Sequence, residues 1–331
     1  MAAMQARTAQ AHEALVEAVT GLTRQDGWRA WLDFAARMPH YSVSNGLLLA
    51  AQAPHATVVM SAAEWRKVGR YPVKGSTALR IWAPRHAAQN MRMNAATQAV
   101  RDPEQGSPQD QQPEARPSAR EESTRFLLVP VFDVAQTAGE PLPMQPAPVP
   151  PPPGQAPAGM WDTLHAYAIG AGFTVRIGDC GPADGTTDFT NNTITIAEKG
   201  SPLARSLTLA HEVGHATLHA DPATRQMGAE HRGRAEVEAE SVAYLVAADY
   251  GLADALDWHF DYLAHWSTAL AGPDSDENAT RAAVRGTAGR VLAAARPLLS
   301  ALTEANVGFP DALAHTRAPE PAPVVVAVVT P

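Results

Sequence analysis

The stretch from Ser201 to Ala220, SPLARSLTLAHEVGHATLHA, decides how this 331-residue chain is interpreted. A serine followed by a proline is a typical helix start, and the apolar residues after it recur at helical spacing, so the stretch predicts a helix over 201–219. On this helix His211 and His215 lie one turn apart on the same face. Both imidazoles can therefore bind one metal ion.

Glu212 completes a His-Glu-Val-Gly-His motif and lies beside the two imidazoles. Zinc lowers the pKa of a bound water toward ~7, and a neighbouring carboxylate can take the proton of that water as it attacks an amide. Neutral imidazole is a good ligand for zinc, and Glu212 supplies the base. The motif therefore predicts a zinc-dependent peptidase site with His211 and His215 as ligands.

The third ligand is expected from the acidic stretch EVEAESVAYL at 236–245, on a helix predicted over 234–250. Three glutamates spaced by two cannot all face the same way on a helix. Glu238 shares its face with a serine and apolar residues, and we favour it as the third ligand. Glu240, on a different face, is the alternative.

Two other interpretations of the motif stay open. The helix can be an ordinary amphipathic one whose histidines pack against a core, or the metal can be structural without supporting catalysis. His219, one turn beyond His215, suits a supporting role at the site as well as capping or packing. The single cysteine, Cys180, excludes a disulfide framework and a cysteine-rich zinc site. The sequence holds no phosphate-loop, dinucleotide-binding or nucleophile-elbow motif.

The charge of the chain is divided unevenly, and the formal net charge of -8 hides this division. Residues 1–85 hold ten Lys and Arg but five Asp and Glu, a net charge of +5, whereas residues 159–331 carry -10. A basic front part therefore precedes an acidic back part. Only the front part has the charge expected of a surface that binds nucleic acid.

The front part also interleaves cations with aromatic rings in WRKVGRYPVKG at 65–75. Such interleaving suits single-stranded nucleic acid, because cations follow the phosphates while rings stack on the bases. The alternative is a small α+β domain with a solvated basic turn and a buried tryptophan. The candidate DNA-binding residues are Trp65, Arg66, Lys67, Arg70, Tyr71 and Lys74.

Hydrophobic periodicity and turn residues predict an α+β protein, with a small basic α+β domain followed by a helix-rich domain. The His-Glu-Val-Gly-His motif indicates that this second domain is zincin-like. The predicted strands lie at 57–60, 78–83, 126–132, 173–178 and 193–197. The predicted helices lie at 8–23, 26–37, 43–52, 61–67, 159–170, 201–219, 234–250, 258–268 and 278–302.

We expect two domains separated by a spacer. Residues 1–140 form the basic domain, which is interrupted by a polar insert at 86–124 that buries too little apolar surface to fold. Residues 141–158 hold nine prolines and read as a semi-rigid linker. Residues 159–310 form the metallopeptidase-like domain, and 311–331 a disordered tail.

The expected compartment of the protein is the cytoplasm, with no membrane partner. The N-terminal residues carry charges spread along the segment, unlike the continuous apolar core of a signal peptide. No stretch approaches the ~18 uninterrupted apolar residues that a spanning helix needs.

Four motifs resemble one known family. WRKVGRYPVKG at 65–75 and VFDVAQT at 131–137 resemble the single-stranded-DNA-binding domain of the ArdC antirestriction family. LAHEVGHATLH and EVEAESVAYLVA resemble the zinc metallopeptidase domain of the same family, which is related to the ImmA/IrrE peptidases. The resemblance covers most of the chain apart from the insert, the spacer and the tail.

The resemblance implies single-stranded DNA binding in front, a gluzincin-like zinc site behind, and protection of incoming DNA from restriction. His211, His215 and Glu238 fall on the ligand positions, and Glu212 on that of the base. Three hypotheses follow: a zinc peptidase with an unknown protein substrate, a DNA-binding protein in which zinc is only structural, and a regulatory peptidase that cleaves a repressor. Glu212→Gln separates the first two, because it keeps the ligands and removes the base.

Overall fold

The computed structural model describes residues 2–84, 126–142, 151–221, 232–255, 258, 260 and 276–306. The α-helices are α1 (Ala2–Gly21), α2 (Gln25–Arg37), α3 (Val43–Gln52), α4 (Ala62–Lys67), α5 (Met160–Gly170), α6 (Pro202–Leu218), α7 (Arg232–Asp249) and α8 (Glu277–Asn306). The strands are β1 (Val59–Met60), β2 (Arg70–Pro72), β3 (Leu79–Pro84), β4 (Phe126–Asp133), β5 (Thr137–Gly139), β6 (Thr174–Gly178), β7 (Gly185–Asp188) and β8 (Thr193–Ala197). The predicted α+β class is confirmed.

The chain divides into two compact units. Unit 1 comprises Met1–Ala18 and Leu47–Gln145, and unit 2 comprises Val19–Gly46 and Pro146–Pro331. This division differs from the predicted domains, because residues 19–46 belong to unit 2 although they were expected in the front domain.

Unit 1 is built on a three-stranded antiparallel sheet in the order β1-β4-β3. β3 alternates buried and half-buried residues, as expected for a strand with one face on a core. Asp133 ends β4, and its buried carboxylate accepts hydrogen bonds from the backbone N–H groups of Thr57, Val58 and Ala135. β2 and β5 form a separate antiparallel pair.

Unit 2 combines helices α5 to α8 with a three-stranded sheet in the order β6-β8-β7. The central strand β8 is parallel to β6 and antiparallel to β7, and its Ile194 and Ile196 are fully buried. α6 packs against β7, β8 and α7. The helix with the His-Glu-Val-Gly-His motif therefore contacts both the sheet and the acidic helix.

The packing of α2 on α7 explains why residues 19–46 belong to unit 2. Trp28 is fully buried, and its indole N–H donates a hydrogen bond to Oγ of Ser241 at 2.9 Å. The buried Tyr244 donates its hydroxyl proton to the carboxylate of Asp33. This N-terminal segment therefore supports the helix that carries the acidic stretch.

The predicted helices and strands that fall on described residues are mostly found within a few residues of the predicted bounds, and helix 43–52 and strand 193–197 match them. β7 lies between the predicted strands 173–178 and 193–197, where no strand is predicted. The insert 86–124, the tail 311–331 and most of the predicted helix 258–268 lie outside the described residues. Within the described residues, no helix is long and apolar enough to cross a membrane.

Candidate metal centre

The start of α6 is fixed by its own sequence and by the spacer. The Ser201 hydroxyl accepts a hydrogen bond from the backbone N–H of Ala204 at 3.2 Å, and Pro202 begins the helix, where no N–H is needed. The backbone N–H of Leu203 donates to the carbonyl oxygen of Gly154 at 3.2 Å. The end of the proline-rich spacer therefore contacts the helix that carries the motif.

Three potential ligand atoms converge where α6 meets α7. The Nε2 atoms of His211 and His215 lie 3.1 Å apart. Oε2 of Glu236, from α7, lies 3.5 Å from Nε2 of His211 and 3.7 Å from Nε2 of His215. Within the described residues, this is the one group of histidine, cysteine and acidic side chains found close enough to hold a metal ion.

The separations in this cluster fit a tetrahedral metal centre. Zinc bonds of about 2.0–2.1 Å at the tetrahedral angle place ligand atoms about 3.3 Å apart. The separations of 3.1, 3.5 and 3.7 Å lie around this value. Two unprotonated imidazole nitrogens this close repel each other, and a cation between them removes the repulsion. The three residues therefore fit a metal ion, and their donor atoms are those of a zinc site.

Glu240 contacts His211 on the opposite side of the ring. One of its carboxylate oxygens lies 3.1 Å from Nδ1 of His211. When Nδ1 carries the proton, it donates to this carboxylate, and Nε2 is left unprotonated toward Glu236. Glu240, the alternative third ligand, is therefore placed to orient a ligand instead of binding the metal itself.

The carboxylates determine the protonation of the cluster. Burial by itself lowers the pKa of His211, but Glu236 and Glu240 outweigh burial and raise that pKa to about 9. Hydrogen bonds to His211 and His215 hold the pKa of Glu236 well below its usual range. An ionised carboxylate thus lies beside an imidazole that is readily protonated. A metal cation can replace that proton.

The glycine of the motif allows α6 and α7 to approach closely. A Cβ atom on Gly214 would lie 2.9 Å from Cα and 3.1 Å from the carbonyl oxygen of Ala239. Both are backbone atoms that cannot rotate away, so a side chain at this position would push the helices apart. The close approach brings Glu236 and Glu240 within reach of the histidines.

Glu212, the predicted base, is buried at the side of α6 that contacts the sheet. Its Oε2 atom accepts a hydrogen bond from the hydroxyl of Thr187 on β7 at 2.7 Å. Burial lowers the pKa of His211, hydrogen bonds to Glu236 and Glu240 raise it, and the negative charge of Glu212 raises it further. The predicted base is therefore close to the predicted ligands.

Glu238, the predicted third ligand, lies outside the cluster, and the structure corrects this prediction. Its side chain is 1% exposed, and Oε1 accepts hydrogen bonds from Nε of Arg234 at 3.0 Å and from the guanidinium of Arg290. Residues of a helix are rotated by roughly 100° each, so Glu238 points almost opposite to Glu236 and Glu240. It neutralises two arginines and is not part of the group formed by His211, His215 and Glu236.

His219 ends α6 and packs as a neutral ring. Its centroid lies 5.5 Å from that of His215, and burial together with His215 lowers its pKa to about 4. Its Nε2 atom lies 3.7 Å from Oε2 of Glu238 and makes no hydrogen bond within the described residues. His219 is therefore a packing residue between the histidines and Glu238.

Two of the predicted DNA-binding residues are part of the fold of unit 1. Trp65 is fully buried, and its indole N–H donates to the carbonyl oxygen of Phe132 at 2.8 Å. The guanidinium of Arg70 donates to the hydroxyl and carbonyl oxygens of Thr137, at 2.9 and 3.0 Å, and to the carbonyl oxygen of Glu140. Trp65 cannot stack on a base, and Arg70 fastens β2 to β5. Trp65 and Arg70 therefore both have structural roles in unit 1.

The other four predicted DNA-binding residues are exposed. Tyr71 on β2 is 56% exposed. Arg66, Lys67 and Lys74 occupy exposed positions of the same segment of unit 1. One accessible ring and three accessible cations therefore lie within nine residues of the chain.

Glu236 is the candidate ligand that the sequence analysis missed, although two signals point to it. Glu236 and Glu240 are four residues apart, like the two histidines of the motif, and two such pairs can face each other across packed helices. Arg234 precedes Glu238 by four residues, which is the spacing of an ion pair within one helix. The second signal argues that Glu238 is already paired.

The helices that carry the cluster match a known family of metallopeptidase domains. Residues 201–285 match the family model of zincin-like metallopeptidases, MPTase-PolyVal, over α6, α7 and the first part of α8. This part of the chain is a zincin-like domain, as the motif predicts. No curated protein was found to match the chain.

Among solved structures, the chain is similar to the antirestriction protein ArdC from the R388 plasmid. The metal-free ArdC structure is 17% identical, with 80% of this chain and 86% of that chain covered and a TM-score of 0.45. The Mn(II)-bound ArdC structure is 14% identical, with 79% and 88% covered and a TM-score of 0.43.

Proposed function

We propose that the chain is a zinc-dependent peptidase joined to a unit that binds single-stranded DNA. The observation that supports the peptidase is the convergence of His211, His215 and Glu236 next to Glu212 within a zincin-like domain. Two imidazoles and one carboxylate are a ligand set of catalytic zinc sites, which keep a fourth position for water or substrate. Structural zinc sites are usually closed by four protein ligands. Three ligands within the described residues therefore favour catalysis over a structural role.

In this proposal each residue of the cluster has a defined task. His211, His215 and Glu236 would hold the zinc ion, which would supply a Lewis acid for the substrate carbonyl and make a bound water molecule more acidic. Glu212 takes a proton from the attacking water as the water oxygen adds to the amide carbon. It then delivers a proton to the amine nitrogen as the C–N bond breaks. Glu240 keeps His211 in the tautomer that presents Nε2.

The peptidase proposal is tested with Glu212→Gln, which keeps the ligands and removes the base. We expect the full chain and this variant to hold the same amount of metal, about one ion per chain. We expect cleavage of fluorescein-labelled casein to fall at least ~100-fold, the scale of a lost general base. Glu198→Gln, an exposed glutamate of unit 2, is the matched control and should retain cleavage.

Elemental analysis of the same samples for zinc and manganese identifies the metal. The two imidazoles and one carboxylate favour zinc over manganese, which prefers an all-oxygen set. Cleavage by Glu212→Gln at the wild-type rate would remove Glu212 from the mechanism. A full chain that binds neither metal would overturn the site.

The proposal of DNA binding is supported by four exposed residues of unit 1, here called the basic surface: Arg66, Lys67, Tyr71 and Lys74. The exposed ring of Tyr71 can stack on any base, which gives binding with little sequence preference. The cations can neutralise phosphates and release counterions, so the affinity should fall as salt rises. The fold-forming contacts of Trp65 and Arg70 leave them out of this surface.

This second proposal is tested by fluorescence anisotropy of the full chain on an oligothymidine over a series of salt concentrations. Tyr71→Ala should weaken binding by about 1–3 kcal/mol, the value of one stacked base. Lys67→Glu with Lys74→Glu should weaken it further and make the salt slope shallower by about 0.7 for each lost phosphate contact. Lys199→Glu in unit 2 is the control for a charge reversal outside the basic surface. Unchanged affinity and slope in both variants would contradict the basic surface.

The resemblance of the motifs to the ArdC antirestriction family leads to a third proposal, that the chain protects incoming DNA from restriction. Transformation of restricting cells with unmodified plasmid, in cells that express wild type, Glu212→Gln or the double Lys variant, tests this role. Loss of protection in both variants supports a DNA-directed peptidase. Loss in the Lys variant alone supports the DNA-binding protein in which the metal is structural.

A further inference from the structure

β7 contacts Glu212 through two residues on one face of the strand. Alternate residues of a strand point to the same side, and here Gly185 and Thr187 are half-buried whereas Thr186 and Asp188 are exposed. β7 packs on α6. The face with Gly185 and Thr187 is therefore the one that meets the helix of the motif.

Thr187 donates its single hydroxyl proton to the carboxylate of Glu212. Its Oγ1 atom lies 2.7 Å from Oε2 and 3.3 Å from the main-chain carbonyl oxygen of the same glutamate. The shorter distance and the negative charge both favour the carboxylate as acceptor. A short hydrogen bond of this kind stabilises the ionised carboxylate and fixes the direction in which it points.

Gly185 leaves the space that the carboxylate fills. A Cβ atom on Gly185 would lie 2.8 Å from Oε1 and 2.9 Å from Cγ of Glu212, and 2.6 Å from Cγ2 of Thr208. Gly185 does not have a positive φ, so another residue could adopt its backbone conformation. A side chain there is excluded by the space that Glu212 and Thr208 occupy. Both obstacles are side-chain atoms, which can move aside without unfolding the strand.

We propose that Thr187 and Gly185 position Glu212 for proton transfer, an inference that rests on the proposed peptidase function. The hydrogen bond from Thr187 engages Oε2, so Oε1 accepts the proton of the attacking water. Thr187 is a positioning residue, because it contacts the base and not the substrate. The sheet thus contributes to the site through a strand that lies outside the motif.

The test is Thr187→Val in the zinc-loaded full chain, because valine has the shape of threonine but no hydroxyl. We expect kcat on labelled casein to fall about tenfold, the factor that corresponds to one ordinary hydrogen bond, while KM stays within about twofold. Thr187→Ser restores the hydroxyl and should recover kcat to within about threefold of wild type. Thr186→Val makes the same chemical change on the opposite face of β7 and should change neither parameter. Zinc content should be unchanged in every variant, and the urea midpoint is measured for each so that a loss of folded protein is separated from a loss of kcat.

Gly185→Ala fills the space beside the Glu212 carboxylate without removing a hydrogen-bonding group. It should lower kcat at least about tenfold with zinc retained, because the new methyl group displaces the carboxylate. A Thr187→Val variant with the kcat of wild type overturns this inference alone. A wild-type chain that binds zinc but cleaves no more casein than Glu212→Gln overturns the proposed function, and this inference with it.

Discussion

Two glutamates of α7, only two residues apart, have opposite environments. Glu236 is partly exposed, and Oε2 lies 3.5 and 3.7 Å from the imidazole nitrogens of His211 and His215. Glu238 is 1% exposed and lies between the guanidinium groups of Arg234 and Arg290. The rotation of roughly 200° between positions two apart on a helix separates them.

The role of each carboxylate therefore depends on its partners and not on its residue type. Glu238 already has its cations, and its negative charge is neutralised inside the protein. Glu236 has imidazoles as neighbours, which are neutral when they bind metal, so its charge is left to attract a cation. The acidic helix therefore supplies a structural ion pair on one face and a candidate metal ligand on the other.

The largest effect is expected where the structural ion pair is broken. Glu238→Ala leaves the buried guanidinium of Arg234 without its carboxylate, and a broken buried pair costs about 3–5 kcal/mol. The side chain of Arg290 is 36% exposed and can regain water, so we expect the lower end, about 3 kcal/mol. Urea unfolding in the presence of a chelator measures this loss.

A compensated variant separates the lost charge from lost packing. Arg234→Met and Arg290→Met added to Glu238→Ala remove all three charges, and most of the stability should return, because apolar replacement of a whole buried pair is often neutral. A single Glu238→Ala that unfolds like wild type would show that the ion pair is unimportant. A single variant that loses metal without losing stability would restore Glu238 as a ligand.

The second effect is on metal binding. Glu236→Ala should lower zinc affinity by more than about 100-fold, beyond the range observed when residues that only orient a ligand are removed. Without metal, its loss should cost less stability than the loss of Glu238, because Glu236 is partly exposed and water screens its ion pair with His211. Competition with a chelating dye measures the first quantity, and unfolding in chelator the second. Wild-type affinity in this variant would contradict the assignment of Glu236.

Local geometry explains which parts of the site could be predicted from sequence. The two histidines are one turn apart on one helix, so their convergence requires no knowledge of the fold. The third ligand depends on which face of α7 meets α6, and that is decided by contacts from distant parts of the chain. Trp28 of α2 and Gly214 of the motif help to set this packing. The sequence pattern of α7 alone therefore favoured the wrong glutamate.

The fold shows the same difference between features set by local sequence and features set by distant contacts. Strand 193–197 has isoleucines at alternate positions and its prediction is confirmed, whereas β7 has the sequence GTTD and no apolar periodicity to reveal it. β7 is formed by its pairing with β8 and its packing on α6. Trp65 is the opposite case. A ring among cations is the expected pattern of a DNA-binding surface, but the ring of Trp65 lies in the core.

The third effect tests the residue that orients a ligand on the metal-binding face. Glu240→Gln weakens the acceptor of the Nδ1 proton of His211 and should lower zinc affinity about 10–100-fold. The effect should be smaller than that of Glu236→Ala, because all three proposed ligands remain. Glu198→Gln is again the matched control. An affinity loss equal to or greater than that of Glu236→Ala would indicate that Glu240 itself binds the metal.

The smallest expected effect is a dependence of stability on pH. It should arise from the face of α7 that carries Glu236 and Glu240, and not from the face that carries Glu238. Burial lowers the pKa of His211, but Glu236 and Glu240 raise it to about 9, against 6.5 for an unperturbed histidine. Without metal, the folded chain therefore binds more protons than the unfolded chain between these values. Its free energy of unfolding should fall as pH rises, by about 1 kcal/mol from pH 7 to pH 8. Glu238 adds no such slope, because burial lowers the pKa of Arg234 only to about 10.

Urea unfolding in chelator at the two pH values measures this slope. Glu236→Gln removes one of the carboxylates that raise the pKa of His211, so its slope should be shallower than that of wild type. Saturating zinc should reverse the sign, because zinc requires unprotonated His211 and its affinity rises with pH. A free energy of unfolding that rises with pH in the chelated wild type would contradict the proximity of His211 and Glu236. The same slope in Glu236→Gln and wild type would assign the pH dependence to another group.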